Sequence, residues 1–506
     1  MAVSSKLRER IRTRLADEVG RLGKSAPYVL ALCYPSPYAA GMSSLGYQRI
    51  YRLVQETPGF ACERAFLDDE GGSSGAPIER PVTYESLSPL ESFPVVAFSV
   101  AYELEIAGLI RMLEAASIPV RRTERDDRHP FVLAGGPLTF SNPTPLGGLV
   151  DAVVMGESED VMPLVLEALR ANDTRQGKID ALSRVPSVWL PDVHGDVLAP
   201  IAAADDAALP AWAPIRSPHA EFADMFLVES ERGCSRGCRY CVMRRSTNGG
   251  MRLAPMQRIL ELIPEDAKRV GLVGAAVSDH PKIVDIVNTL ADQGREVGLS
   301  SLRPDRLSDE FVGALKRGGY RTLTTAMDGT SERVRETLER RARPKHLLKC
   351  AEMAKKHGMD RLKLYLMVGV PGETDADIDE CAAFTSELSR IVPVALGIAP
   401  FCAKRNTPLD GAEYAGIDVV NDRLDRLRRG LKGRADVRST SAKWAWVEYV
   451  LAQGGQAEGL AVIDAVHGGS TFAAYKKAFD AVGRTDGGPD SKGRGKRRHL
   501  TMATAV

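Results

Sequence analysis

The chain has 506 residues, 26% of them charged and 44% hydrophobic, with a formal net charge of +1. That length exceeds one ordinary core and predicts two to four domains. The near-neutral balance excludes a global electrostatic case for nucleic acid, and no apolar run reaches membrane-spanning length.

The opening MAVSSKLRERIRTRLADEVGRLGK is charged and lacks the apolar centre of a signal peptide. Residues 1–24 read as an amphipathic helix with Leu7, Ile11, Leu15, Val19 and Leu22 on one stripe. The expected location is the cytoplasm. From 25 to 172, short apolar runs alternate with helical periods. The predicted strands are Tyr28–Cys33, Ala61–Phe66, Val95–Val100, Phe131–Ala134 and Ala152–Met155, with helices such as Leu45–Gln55 and Leu104–Ala115 between them. Such βα alternation predicts a parallel sheet covered on both faces, of the flavodoxin-like (Rossmann-type) doubly wound form. Ligands of that fold bind at the carboxyl ends of the strands. The turns there carry Gly41, Gly135, Gly136 and Gly156, which let a ligand approach the backbone. Residues 173–220 read as a hairpin at Val188–Leu198 followed by an Ala/Pro/Asp-rich linker, Ala202–Pro218.

The βα rhythm resumes at 221–410, with strands after Ala223 and at Arg269–Val273, Glu296–Leu302, Thr322–Met327, Arg361–Val368 and Val394–Ile398. The first of these runs into ERGCSRGCRYC, which spaces Cys234, Cys238 and Cys241 as C-x3-C-x2-C. A [4Fe–4S] cube ordinarily takes four cysteines; a triad leaves one iron open, as a catalytic metal site requires. A zinc site would need a fourth ligand, and the nearest downstream histidine is the distant His280. A disulfide does not suit a chain without a secretory signal. Cys33, Cys62, Cys350 and Cys381 fall in apolar strands or helix faces and read as core thiols. Cys402, after the sixth strand, is expected at the strand C-terminal ends, as a structural thiol or one able to give or take a hydrogen atom. Residues 411–484 are helical, with Trp444 and Trp446 read as core, and 485–506 form a basic tail.

The cysteine stretch, with YLMVGVPGE at 365–373, resembles the radical S-adenosylmethionine (SAM) family. YPSPYAAGMSSLGYQ, FSVAYELE, LAGGPLTFSNPTPL and MGESED resemble the cobalamin-binding domain fused to many of its members. The resemblance implies an open, partial (β/α)6 barrel after the flavodoxin-like domain, and an enzyme whose cluster cleaves SAM reductively to start radical chemistry at an unactivated carbon. Its cofactors would be the cluster, SAM and cobalamin. It implies SAM contacts at Tyr240, Gly274, Ser301, Arg303, Asp328, Val368 and Gly369, and cobalamin contacts at Gly41, Gly135, Gly136 and Gly156. In many relatives an acidic residue follows the Gly274 position by two and faces the SAM amino group; here Ala276 stands there, leaving backbone carbonyls or Asp279 to serve. The first loop also lacks the D-x-H-x-x-G histidine that ligates cobalt, so cobalamin either binds without it or has been lost. An external electron donor of flavodoxin or ferredoxin type is implied, and the substrate is not legible. Two alternatives stay open: hydrogen abstraction without cobalamin, for rearrangement or sulfur insertion, and a non-catalytic iron–sulfur redox or regulatory protein.

Overall fold

The computed structural model describes residues 3–69, 78–243 and 250–485. Its contacts divide the chain into two compact units, one formed by residues 1–226 with 450–485, the other by 227–449. The segment read from sequence as one C-terminal helical region, 411–484, is therefore shared between them. No helix among the described residues is long and apolar enough to cross a membrane. The basic tail lies outside the described residues.

In the first unit, β1 (Tyr28–Tyr34), β2 (Phe60–Phe66), β3 (Val95–Ser99), β4 (Phe131–Gly135), β5 (Ala152–Val154) and β6 (Val188–Trp189) form one sheet in the order β2-β1-β3-β4-β5-β6. The first five are parallel, the doubly wound order expected, and β6 adds an antiparallel edge to β5. β3 is buried at every position, because helices cover both faces and leave no polar side for alternation to mark. The predicted 188–198 hairpin does not form. After β6 the chain turns into a short helix, Pro191–His194, and Val188 and Trp189 pair with Val154 and Val153. The Ala202–Pro218 stretch is likewise not a free linker. Ala202 bridges to Gly156 and Arg216 to Val19, while Ala213 and Ile215 are almost fully buried. Periodicity alone could not show this, since small apolar residues without a period look like linker.

The C-terminal helices Gln456–His467 and Phe472–Ala481 belong to this unit. The Asn142 amide donates to the carbonyls of Leu451, Ala452 and Gly454 at 3.2, 3.0 and 2.9 Å, satisfying acceptors that a helix end leaves orphaned.

In the second unit, β7 (Met225–Glu229) leads into a hairpin of β8 (Glu231–Gly233) and β9 (Met251–Leu253). β10 (Arg269–Val273) and β11 (Glu296–Leu299) join β7 in a sheet ordered β11-β10-β7. β12 (Thr322–Asp328), β13 (Arg361–Val368), β14 (Val394–Pro400) and β15 (Ala435–Ser439) form a parallel four-stranded sheet in chain order. All six predicted strands are present; the short hairpin strands β8 and β9 and the edge strand β15, whose charged sequence ADVRS did not suggest one, are additional. β13 alternates buried leucines with accessible Lys363 and Tyr365, so one face packs on helices and the other is open.

Candidate iron–sulfur site

The hairpin fixes the cysteine loop at its base. Ser230 N–H donates to the Val273 carbonyl at 2.9 Å and Cys234 N–H to the Gly250 carbonyl at 3.1 Å, while Glu229 grips Arg232 through both oxygens at 2.7 and 2.9 Å. Cys238 is buried, and Cys234 and Cys241 are half-buried. Cys241 N–H donates to the Cys238 carbonyl at 3.2 Å. Burial pushes the Cys241 thiol up to about 11, and the charges of Cys238 and Cys234 add to the rise. Burial raises Cys234 as well, opposed by the Arg236 N–H. A cation beside Cys234 and Cys241 would offset that rise, which is what cluster iron would supply. Among the described residues no three His, Cys, Asp or Glu side chains gather as a single metal ion requires; a cube takes one thiolate at each of several corners and needs no such convergence. The triad therefore fits the cluster.

The ends of β10 and β11 meet beside this loop. Gly274 accepts, at its carbonyl, the hydroxyls of Ser300 at 2.7 Å and Ser301 at 3.2 Å, and its N–H donates to Ser300 Oγ at 3.0 Å. Asp279 accepts from Ser235 of the cysteine loop at 2.7 Å and pairs with Arg303. Arg303, expected as a free donor for the SAM carboxylate, is buried and spent on Asp279 and, at 2.5 Å, on Asp305. Asp305 also accepts from Arg236 at 2.7 Å. The geometry thus gives Arg303 a bracing task. It clamps two aspartates that hold Ser235 and Arg236, and a buried guanidinium needs such partners.

A second group gathers at the ends of β12 to β14. Tyr240 packs against Val334, Leu338, Val370, Phe401 and Ala403, and its hydroxyl hydrogen-bonds the Asp328 carboxyl. Asp328, expected at the SAM ribose, is held instead by Arg340 and Tyr240. Burial raises its carboxyl, and Arg340 opposes the rise. Val368 is core, with its carbonyl taken by Phe401 N–H at 2.8 Å. Gly369 adopts φ +86°, natural for glycine alone, and its N–H donates to Glu373 at 2.7 Å. Glu373 also accepts from Thr330 at 2.6 Å and pairs with Arg423 at 3.0 Å, so the Val368–Glu373 turn braces itself. The structure brings Gly274, Ser301 and Arg303 together, and separately Tyr240 with Asp328. Cys402 donates its S–H to the Ala445 carbonyl at 3.1 Å; Cys33, Cys62, Cys350 and Cys381 are buried.

Two residues escaped the sequence reading. Glu231 is 1% exposed; one carboxylate oxygen accepts from Ala276 N–H at 2.6 Å and the other has no hydrogen-bond partner. Burial pushes it up to about 7, against the Ala276 bond and with the charges of Glu229 and Asp279. A Cβ at Gly274 would lie 2.1 Å from its carboxylate, so Glu231 occupies the space beside the turn that lacks an acid of its own. Its place just before Arg-Gly-Cys was the available signal. Arg340 lies in the charged run 339–345, which sequence alone reads as a solvated surface.

In the first unit, Gly135, Gly136 and Gly156 line a small open cleft with Leu32, Phe98, Ser99, Leu133, Ser158 and Met162. A Cβ at Gly135 would meet only Val154, at 3.4 Å or beyond, so that position opens toward the cleft. The other two have positive φ and sit against chain: a Cβ at Gly136 would lie 2.7 Å from the Val100 carbonyl, and one at Gly156 would lie 2.6 Å from that of Ala202. Gly41 does not join them. It is buried under Phe66, whose ring a Cβ would meet at 2.5 Å, because Tyr38 turns the first loop inward and hydrogen-bonds Ser217 at 2.9 Å.

Residues 228–385 match the radical SAM superfamily and residues 46–191 match the N-terminal domain of radical SAM proteins. The chain is a radical SAM protein. It is 26% identical over 396 residues to an uncharacterised protein of Methanocaldococcus jannaschii, spanning 76% of this chain and 80% of that one. An uncharacterised methyltransferase of Pyrococcus horikoshii is 22% identical over 271 residues, 51% of this radical SAM chain and 58% of its own length. In fold, it is similar to the radical SAM methyltransferase TsrM of Kitasatospora setae, solved with cobalamin and a [4Fe–4S] cluster bound, at a TM-score of 0.55 and 12% identity over 90% of this chain and all of that one.

Proposed function

We propose that the protein is a cobalamin-dependent radical SAM enzyme that transfers a methyl group to an unactivated carbon. The observation that carries its initiating chemistry is a loop offering three cysteines, Cys234, Cys238 and Cys241, to a cube that has four irons. The chemistry that cluster and SAM supply at such a triad is one-electron cleavage of the sulfonium, giving a 5′-deoxyadenosyl radical. Residues at the cleft lined by Gly135, Gly136 and Gly156 would hold a cobalamin, whose chemistry would be to supply the methyl group. This branch is supported by that cleft, by the TsrM fold and by the methyltransferase among the relatives.

The chain's own residues do the rest. The Asp279–Arg303–Asp305 clamp holds Ser235 and Arg236 and keeps the cysteine loop in place. Tyr240 and its apolar neighbours keep water from the sulfurs, and the self-braced Val368–Glu373 turn offers a rigid edge for the adenosine. An external donor of flavodoxin or ferredoxin type supplies the electron, and the substrate enters from the open strand face.

The deciding experiment is anaerobic reconstitution followed by incubation with SAM and a strong reductant, with and without hydroxocobalamin. Release of 5′-deoxyadenosine or S-adenosylhomocysteine is expected. Neither product from an iron-loaded protein would sink the enzyme reading. A second reading, hydrogen abstraction without cobalamin, is favoured by the first loop, which has no histidine to offer a cobalt and turns Tyr38 inward onto Ser217; a reconstituted protein without a corrinoid spectrum that still releases 5′-deoxyadenosine would establish it.

A further inference from the structure

The sheet of β12 to β15 is parallel, and a parallel sheet is ordinarily covered on both faces. One face of its interior strand β13 carries Lys363, Tyr365 and Met367, and this face is open: Tyr365 is 46% exposed. The residues paired with Tyr365 on either side are Ala326 and Gly397, and Met367 pairs with Ala399. The floor around the ring is therefore built of small residues. A Cβ at Gly397 would lie 2.7 Å from Tyr365 Cε1 and 2.8 Å from its Cδ1, so the ring is laid along the sheet over the glycine. A glycine inside a strand commonly marks such a close approach. Lys363, one step back on the same face, holds its ammonium 4.7 Å from the ring centroid. Among the described residues this ammonium makes no ion pair or hydrogen bond, and the Tyr365 hydroxyl makes no hydrogen bond. A single exposed aromatic is ordinary on a protein surface. A flat-lying one beside an unpaired cation, in the middle of a parallel sheet, is a place made for a partner.

We propose that Tyr365 and Lys363 form the substrate platform, and that the substrate is a planar molecule carrying an anionic group, a carboxylate or a phosphate. The inference rests on the function proposed above and names a substrate class for it. A flat ring stacks offset on the exposed tyrosine, which a puckered one does poorly. The unpaired ammonium beside it takes the negative group through a charge-assisted hydrogen bond, and the small floor of Ala326, Gly397 and Ala399 leaves depth for the ring. The position suits the chemistry. Met367, the next residue on the same face, packs against the apolar group that also receives Tyr240, and Tyr240 adjoins Cys241. Two residues of strand span about 7 Å, so a molecule resting on Tyr365 and extending along β13 reaches the group that borders the cysteine loop.

The test is a titration of the anaerobically reconstituted full chain, read by ligand-observed NMR, with 2-naphthoate, 2-naphthyl phosphate, the neutral 2-naphthamide and the saturated, non-planar decahydro-2-naphthoate. At least one planar anion is expected to bind about tenfold more tightly than the amide and the saturated acid, and the tighter of the two names the anionic group. Tyr365→Ala is expected to weaken that anion about tenfold while Tyr365→Phe keeps it. Lys363→Gln is expected to erase the preference for anion over amide while Lys363→Arg keeps it. The proposal fails if wild type binds neither planar anion, if it binds anion and amide alike, or if Tyr365→Ala and Lys363→Gln both bind as wild type does. Displacement of the bound anion by S-adenosylhomocysteine would assign this face to the adenosine and overturn it equally. Should the alanine and glutamine variants not fold, the four-ligand comparison on wild type decides alone. Binding is read without turnover, so a protein that binds the anions as expected but releases neither 5′-deoxyadenosine nor S-adenosylhomocysteine would defeat the enzyme reading and leave this site standing.

Discussion

Glu231 carries a cost that pH reveals. Its folded value of about 7 lies above the 4.5 of an ordinary glutamate, so the folded protein holds a proton that the unfolded chain releases. Stability from this group is complete below about pH 4.5 and is lost as pH rises through 7, by roughly 3 kcal/mol at most. In the cluster-free protein, Glu231→Gln should flatten the fall in melting temperature between pH 5 and 8; an unchanged slope would show that the carboxylate does not titrate there. Cys238→Ala should abolish iron uptake, and a variant retaining wild-type iron would refute the ligand assignment. The cysteine triad was legible because ligand spacing is local in sequence. The partners of Arg303 and Asp328 were not. A strand-end position shows that a charge is near the site, but an ion pair between residues 24 apart, as for Arg303 with Asp279, is fixed only by how the strands close.

At the scale of elements, strand order in the first sheet followed from βα alternation, and its boundaries fell within a residue or two of the pattern. The hairpin at 188–198 and the linker at 202–218 failed for one reason: short segments take their structure from what they are laid against. Asn142 shows the same dependence in a single side chain, since its three carbonyl partners lie more than 300 positions away. Asn142→Ala strands acceptors in a buried place, and the expected loss is about 1–3 kcal/mol, measurable by chemical denaturation. A loss near zero would mean that water takes the amide's place.

For the whole molecule, the division into units predicts separable defects. A chain ending at Tyr449 keeps the cysteine loop and its clamps but removes the helices that belong with the first sheet. Iron binding is expected to survive this truncation while the first unit becomes sensitive to protease. Equal sensitivity of the full-length and truncated chains would argue that the helices at 456–481 add nothing to it.

The discontinuity also orders events during synthesis. Gly147 and Gly148 lie against Gln456 and Leu460, and Pro145 lies against Gly459. About 300 residues separate these partners along the chain, so at ribosomal rates the turn waits on the order of half a minute, uncovered, for its closing helix. The second unit is made entirely within that interval. A protein assembled this way has its first-begun unit finished last, and a chaperone meeting the nascent chain would find that turn still uncovered.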